Sequence, residues 1–186
     1  MPFQFEPQDL EGVVLVRPRL LRDSRGHFLE AYKRSAFADV GITGPFVQEN
    51  LSQSTRGVLR GLHYPLPPHA QGKLVQVLAG AVFDVCVDLR RDSPDFGRWL
   101  GRKLDAVAHE LLYLPPGFGH GFVVLSETAD VAYRCTAEYA PASERGVRWD
   151  DPDLAISWPV SDPLVSAKDA ALPRLEEADV FEAPLS

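Results

Sequence analysis

Short runs of apolar and β-branched residues recur along most of this chain, separated by turns rich in proline and glycine. The clearest runs are VVLVRP (13–18), HFLEAY (27–32), PFVQEN (45–50), VLRGLHY (58–64), KLVQVL (73–78), AVFDVCVDL (81–89), ELLYL (110–114), HGFVVL (120–125) and DVAYRC (130–135). Many short strands with such punctuation are typical of a sandwich or a barrel. The pattern therefore predicts a mostly β, largely antiparallel fold.

Alternation within a run predicts which side chains point inward. In residues 130–135, Tyr133 shares parity with Val131 and Cys135, so we expect it on an apolar, inner face. Asp84 is a polar exception within the run at residues 81–89. The pattern leaves open whether Asp84 supports a site residue or faces water.

Helical signals are few. Residues 33–40 predict one short helix, and residues 162–172 predict a second near the end of the chain. Residues 64–72 contain three prolines and predict a loop between two strands. Because no shift in composition marks a boundary, we expect a single domain over residues 1–186.

The charge balance narrows the range of partners. The chain carries a formal net charge of -7, and 45% of its residues are hydrophobic, which is enough for a sizeable core. Duplex nucleic acid and anionic membrane surfaces attract basic proteins, so we expect neither as a partner. If the ligand is an anion, the attraction must come from a local group of cations.

Cysteine usage and apolar stretches predict the compartment. Cys86 and Cys135 each lie in an apolar run, and two cysteines do not make a dense disulfide framework, so we expect buried, reduced thiols. The first twelve residues lack the basic start and apolar run of a secretory signal. Polar residues interrupt the longest apolar stretch (74–89), which is therefore not a membrane span. We expect a cytoplasmic protein.

His63 is the first candidate for chemistry, because a histidine transfers protons near neutral pH. Arg60 and Lys73 flank it in sequence, and two cations beside a histidine suggest a bound anion or an enolate. Arg60 and His63 have opposite parity, so a regular strand would point them to opposite faces. A bulge at Gly61 would bring both to one face.

The stretch PPGFGH (115–120) resembles the second motif of the cupin superfamily, which delivers a histidine, here His120, onto the inner face of a jelly-roll barrel. Many cupins bind a metal with a His-x-His pair and a glutamate from a first motif. In the matching stretch Leu62-His63-Tyr64-Pro65 the second histidine is missing. Since a metal site needs three or four converging ligands, we expect no metal and no other cofactor.

The resemblance extends over nearly the whole chain. The segments DSRGHFLEAY (23–32), FVQENLSQS (46–54), GVLRGLHY (57–64), QGKLVQVLAGAVFDVCVDLR (71–90), LPPGFGHGFVVLSETADVAYRCT (114–136), YAPASERGVRWDDPDLAISWP (139–159) and LVSAKDA (164–170) occur in order. Together they resemble the dTDP-4-dehydrorhamnose 3,5-epimerase family, whose members fold as double-stranded β-helix jelly rolls of the cupin type with a few short helices.

The resemblance implies a catalytic role for each of four residues. Epimerisation beside the ketone of a 4-keto sugar needs a base on one face of the ring, an acid on the other and a cation at the ketone oxygen. The family resemblance makes His63 the base, oriented by Asp169, and Tyr133 the opposing acid. Lys73 would stabilise the enolate oxygen.

The resemblance also implies a set of residues that hold the dTDP part of a dTDP-4-keto-6-deoxy sugar. They are Arg25, Glu30, Gln48, Glu49, Asn50, Arg60, His120, Tyr139, Glu144 and Lys168. Family members are homodimers with shared active sites, in which Arg25 and Glu30 come from the neighbouring subunit. Without the resemblance, Arg25 and Glu30 would be read as a surface ion pair on one hairpin.

Other functions remain open at the level of sequence. The same residues suit an epimerase that acts at C3 alone, as in antibiotic deoxysugar pathways. A related cupin ketoisomerase, a metal-dependent cupin and a non-catalytic module that binds sugar nucleotides are further alternatives, because a fold alone does not define a function.

Overall fold

The computed structural model of the protein describes residues 1–182, which form β-strands joined by short turns and a few helical turns. The strands are β1 (Phe3–Pro7), β2 (Val14–Pro18), β3 (Leu21–Asp23), β4 (Gly26–Phe28), β5 (Gln48–Thr55), β6 (Val58–Pro65), β7 (Lys73–Ala79), β8 (Ala81–Asp88), β9 (Trp99–Asp105), β10 (Leu111–Leu114), β11 (Phe118–Val124), β12 (Thr128–Cys135), β13 (Glu144–Gly146) and β14 (Leu164–Val165). The helices are α1 (Arg34–Ala38) and α2 (Ala167–Ala170), with 3₁₀ turns at Pro141–Ser143 and Leu175–Glu177.

Two sheets carry most of the structure. The first has the order β1-β2-β10-β7-β12-β5, and the second has the order β13-β6-β11-β8-β9, with β14 added beside β6. From β5 to β8 and again from β9 to β12, successive strands alternate between the two sheets. This repeated crossing is that of a jelly roll. The mostly β, jelly-roll class predicted from the sequence is confirmed.

The main core lies between the two sheets. Val75 of β7 and Val131 of β12 pack in one buried cluster with Val82 of β8 and Phe122 of β11. Each such side chain contributes roughly 1.5–3 kcal/mol when it leaves water. Polar side chains take the place of these apolar ones on the same inward faces where the site lies.

Two further clusters cover the outer faces of the sheets. Phe37 of α1 packs against the first sheet beside Phe3, and the C-terminal segment packs its Phe181 against Tyr64 of the second sheet. Trp158 donates its indole N–H to the carbonyl oxygen of Trp149 at 2.8 Å. The two tryptophans therefore hold down the irregular segment between them.

Several predicted boundaries were wrong. The strand predicted at 27–32 ends at Phe28, because β3 and β4 form a separate, exposed hairpin with no third strand to extend it. The strand predicted at 45–50 begins at Gln48 and continues to Thr55, since β12 pairs with it over its full length.

The helix predicted at 162–172 is reduced to α2, because Leu164–Val165 pairs with β6 and the Ser166 side chain caps the helix. The loop predicted at 64–72 begins two residues later, since β13 pairs with Tyr64 and Pro65. The predictions also missed β1, β3, β9 and β13.

Both cysteines are buried and free, as their apolar surroundings predict. Among the helices formed by residues 1–182, none has the length and apolar character needed to cross a membrane.

Candidate active site

Two adjoining cavities of about 260 and 280 Å³ open between the sheets and share His63, Lys73 and Tyr133 in their walls. His63 comes from β6 in the second sheet, whereas Lys73 and Tyr133 come from β7 and β12 in the first. The two cavities form one cleft with these three side chains at its centre. Polar groups from both sheets thus face a shared space.

His63 forms a hydrogen-bonded dyad with Asp169. The Nε2 atom of His63 lies 2.8 Å from Oδ1 of Asp169, and the His63 side chain is 29% exposed. A carboxylate only accepts hydrogen bonds, so Nε2–H donates to it and Nδ1 remains for another partner. Burial raises the pKa of Asp169, but the His63 contact and hydrogen bonds from Gly61 and Ser166 outweigh burial and leave the pKa below its ordinary value.

An irregularity in β6 brings Arg60 and His63 to the same cleft. His63 pairs with His120 and Arg60 pairs with Phe122, so β6 carries one residue more than β11 over this interval. Gly61 adopts φ +118°, and its N–H donates to Oδ2 of Asp169 at 3.1 Å. The predicted bulge at Gly61 is confirmed, and it also helps to fix the carboxylate that orients His63.

Lys73 is a buried cation at the start of β7. Its Nζ atom donates to the carbonyl oxygen of His63 at 3.3 Å. Burial lowers the pKa of Lys73, while nearby acidic groups, Cys135, Asp84 and Glu144, act in the opposite direction. A poorly solvated ammonium of this kind is suited to stabilise a negative charge that forms beside it.

Tyr133 reaches the cleft from β12, with the inward orientation that its parity with Val131 predicts. It packs against the main core and lines both cavities. Burial raises the pKa of its hydroxyl, so the group stays protonated and can act as a proton donor. His63 and Tyr133 therefore approach the shared space from different sheets.

Basic side chains gather in one half of the cleft. Arg60, His120 and Lys168 line the cavity that also contains Asp169. Arg60 donates its Nε–H to Ser54 Oγ at 3.0 Å. This group supplies the local positive field that an acidic protein needs to bind an anion.

A chain of hydrogen bonds borders the other half. Glu144 Oε2 accepts from Lys168 Nζ at 2.7 Å and from the Tyr139 hydroxyl at 2.9 Å. The Tyr139 backbone N–H donates to Gln48, whose amide in turn donates to Asn50. Burial raises the pKa of Glu144, but Lys168 and Tyr139 outweigh it and leave the pKa lowered.

Three of the residues predicted for the site lie outside the cleft of this chain. Glu49 is on the opposite face of β5 from Gln48 and pairs with Arg134, with 3.0 Å between the charged atoms. Arg25 is in the β3–β4 hairpin, its side chain is 88% exposed, and it pairs with Asp23 rather than with Glu30. Glu30 lines neither cavity.

The sequence reasoning missed other residues in the walls. They include Ser52, Gln71, Cys135 and Ser166. Two of them had a usable signal, because Ser52 shares parity with Gln48 on β5 and Cys135 shares parity with Tyr133 on β12. Gln71 lies in a loop and Ser166 at a helix cap, where alternation gives no information.

The described part of the chain, residues 1–182, contains no cluster of three or more His, Cys, Asp or Glu side chains able to hold a metal ion. The groups present in the cleft are a histidine–carboxylate dyad, a buried ammonium and a protonated phenol. Such groups transfer protons to and from a carbon atom beside a carbonyl. The fold and the site together are suited to a jelly-roll enzyme that moves protons beside a carbonyl group.

Comparisons with known proteins identify the family. The profile of the dTDP-4-dehydrorhamnose 3,5-epimerase family matches residues 7–177. The enzyme of that name from Pseudomonas aeruginosa is 50% identical over 174 residues, which cover 92% of this chain and 96% of the relative. A dTDP-4-dehydrorhamnose 3-epimerase from Streptomyces niveus is 44% identical over 176 residues, which cover 94% of this chain and 85% of the relative.

Solved structures agree with this assignment. The dTDP-6-deoxy-D-glucose-3,5-epimerase of Legionella pneumophila, solved with dTDP-4-keto-L-rhamnose, superposes with a TM-score of 0.94 at 42% identity, covering 98% of this chain and all of the other. The chain belongs to the dTDP-4-dehydrorhamnose 3,5-epimerase family.

Proposed function

We propose that this chain inverts C3 and C5 of dTDP-4-dehydro-6-deoxy-D-glucose to give dTDP-4-dehydro-L-rhamnose. The observation that carries the proposal is the single cleft in which the His63–Asp169 dyad, Lys73 and Tyr133 meet. The reaction requires a base, an oxyanion partner and an acid, and these side chains have the matching chemistry.

Each inversion proceeds in two proton transfers. His63 removes the proton from the carbon beside the C4 ketone, and the electron pair of that C–H bond moves into the carbonyl to form an enolate. Lys73 stabilises the enolate oxygen. Tyr133 then protonates the same carbon from the opposite face as the carbonyl re-forms. Proton exchange with water restores His63 and Tyr133 before the second centre reacts, so the proton balance closes without a cofactor.

The diphosphate is assigned to the cationic half of the cleft. Arg60 and Lys168 suit phosphate oxygens, and His120 adds a further donor beside them. Gln48, Asn50 and Tyr139 present hydrogen-bonding groups at the other border. Lys168 forms an ion pair with Glu144, so a phosphate group would compete with that carboxylate.

A homodimer with shared sites would explain why Arg25 and Glu30 lie outside the cleft of their own chain. The β3–β4 hairpin is exposed, and it carries both Arg25 and the exposed apolar residues Leu21 and Phe28. In the proposed dimer this hairpin reaches the cleft of the partner, where Arg25 and Glu30 bind the thymine. We place the enzyme in the cytoplasm, in the biosynthesis of a dTDP-linked deoxysugar.

A second candidate is inversion at C3 alone. The 44% identity with the 3-epimerase of Streptomyces niveus supports this second candidate. Incubation of the purified protein with the 4-keto sugar nucleotide, followed by proton NMR of the product, separates the two. Coupling constants altered at both centres support the proposed reaction, inversion confined to C3 supports the alternative, and unchanged substrate contradicts both.

A further inference from the structure

Asp84 is a buried carboxylate that the chemistry described above does not use. It lies in the middle of β8 with an exposure of 0%, and its Oδ2 atom is 2.9 Å from Nε2 of His120. Its Oδ1 atom has no hydrogen-bond partner among residues 1–182. Its neighbours on the inner face, Val82 and Cys86, belong to the apolar core. A buried oxygen without a partner costs free energy, so the fold alone does not explain this residue.

The pair formed by Asp84 and His120 lies beside the first dyad. His120 on β11 is the register partner of His63 on β6, so the two histidines are neighbours across the strands. Asp169 approaches His63 from α2, whereas Asp84 approaches His120 from β8 on the other side of β11. The second sheet thus presents two histidines to the cleft, each held by its own carboxylate.

The contact fixes which ring nitrogen of His120 is free. Because a carboxylate only accepts hydrogen bonds, Nε2–H of His120 donates to Asp84. Nδ1 is left as an acceptor in the neutral ring, and as a second N–H donor suited to a phosphate oxygen when the ring is protonated. His120 is only 6% exposed, and it lines the half of the cleft that contains Arg60 and Lys168. A ring that is held at one nitrogen in the wall of a binding cleft has its direction set before a ligand arrives.

We propose that Asp84 is a positioning residue of the active site, which holds the His120 ring so that Nδ1 faces the bound sugar nucleotide. The proposal rests on the function proposed above, in which His120 helps to bind the diphosphate. The negative charge of Asp84 has a second effect, because it opposes the loss of the Lys73 charge that burial promotes. One buried carboxylate therefore supports two groups that meet the anionic ligand.

Asp84→Asn tests the proposal with little change of shape, and Asp88→Asn is the matched control. Asp88 is equally buried on β8, but it bonds to Arg90 and Ser93 and lines neither cavity of the cleft. Both variants are expected to lower the melting temperature. Asp84→Asn should raise KM for the sugar nucleotide and Kd for dTDP about 10- to 100-fold, with a smaller effect on kcat. Asp88→Asn should leave KM and Kd unchanged.

Equal KM and Kd values for the two variants would overturn the proposal. A failure of the function itself looks different, since the unaltered protein would then neither turn over the substrate nor bind dTDP.

A second measurement needs no folded Asp84 variant. Long-range ¹H–¹⁵N NMR of the unaltered protein at high pH should find the ring proton of His120 on Nε2. The His120 signals are identified by their absence from the spectrum of His120→Gln. A proton on Nδ1 would contradict the proposed orientation.

Discussion

At the scale of single residues, the environment of each group decides its part in the reaction. Burial raises the pKa of Tyr133 and lowers that of Lys73, so the first keeps its proton and the second gives up its charge more readily. Asp169 stays ionised because its hydrogen bonds outweigh its burial. An acid, a cation and a carboxylate partner for His63 thus coexist within one cleft.

Tyr133→Phe should separate proton exchange from inversion. His63 can still remove a proton and return a solvent-derived one to the same face, whereas delivery to the opposite face is lost. Inversion should fall by about 10²-fold or more, with deuterium still entering the recovered substrate in D₂O. NMR of the sugar ring measures both quantities. Tyr113→Phe, a half-buried tyrosine that lines neither cavity of the cleft, is the control, and joint loss of exchange and inversion would contradict the assigned roles.

The alkaline limb of the pH profile should report Lys73. The reaction needs the charged ammonium, and a lowered pKa means that the charge is lost at a lower pH than for an ordinary lysine. Tyr133 acts in the opposite direction, because its raised pKa keeps the proton to higher pH. An arginine side chain stays charged at alkaline pH. In Lys73→Arg the alkaline limb of kcat/KM should therefore move to higher pH, even if the rate falls. The exposed Lys103→Arg should keep the original limb, and an unmoved limb in Lys73→Arg would refute this assignment.

At the scale of secondary-structure elements, the bulge in β6 places two site residues that regular alternation would separate. Gly61 adopts φ +118°, and a Cβ atom at this position would lie 2.6 Å from Cα of Gly121 and 2.7 Å from the carbonyl oxygen of His120. A side chain therefore meets both a strained backbone conformation and an occupied space. The geometry of β6 depends on the absence of that side chain.

Gly61→Ala should destabilise the protein by about 3 kcal/mol or more, the sum of backbone strain and overpacking. Gly57→Ala isolates the first effect, because Gly57 also has a positive φ (+80°) but has no atom within 4 Å of the added Cβ. It should cost about 1 kcal/mol. Urea unfolding of the two variants measures the difference, and similar free energies of unfolding would contradict the close packing described for Gly61.

The alternation of apolar residues was sufficient to predict most strands and the inward side of Tyr133. It did not predict β1 or the extension of β5, because these segments are stabilised by pairing with a neighbouring strand and not by their own composition. The partner of Asp84 also escaped prediction, since it depends on the register between β8 and β11. The roles of His63, Lys73, Tyr133 and Asp169 came from the family resemblance, and they stay predictions until they are measured.

At the scale of the whole molecule, an acidic chain concentrates cations where an anionic ligand would enter. The formal net charge is -7, yet Arg60, Lys73 and Lys168 line one cavity. Arg25 lies apart from this group on an exposed hairpin. The proposed dimer would bring Arg25 of one subunit to the cleft of the other and so complete the positive surroundings of the nucleotide.

Mixing two inactive variants tests the shared site. Arg25→Ala removes the contribution of the hairpin and His63→Ala removes the base, so each homodimer should have weak or no activity. In a mixed dimer, one cleft combines an intact His63 with an intact Arg25 from the partner. Subunit exchange should therefore restore measurable turnover. A mixture that remains as inactive as its parents, with mass measurements proving that mixed dimers form, would contradict the shared arrangement.

The central claim is that His63 removes protons beside the C4 ketone of a dTDP-linked 4-keto-6-deoxy sugar. The most direct test is to incubate the purified protein with this substrate in D₂O and to follow C3 and C5 by NMR. The proposed mechanism predicts deuterium at both carbons with the unaltered protein, and exchange reduced by about 10²-fold or more in His63→Ala. His69→Gln, an exposed histidine that lines neither cavity of the cleft, should exchange normally. Absence of deuterium at both carbons, or undiminished exchange in His63→Ala, would contradict the claim.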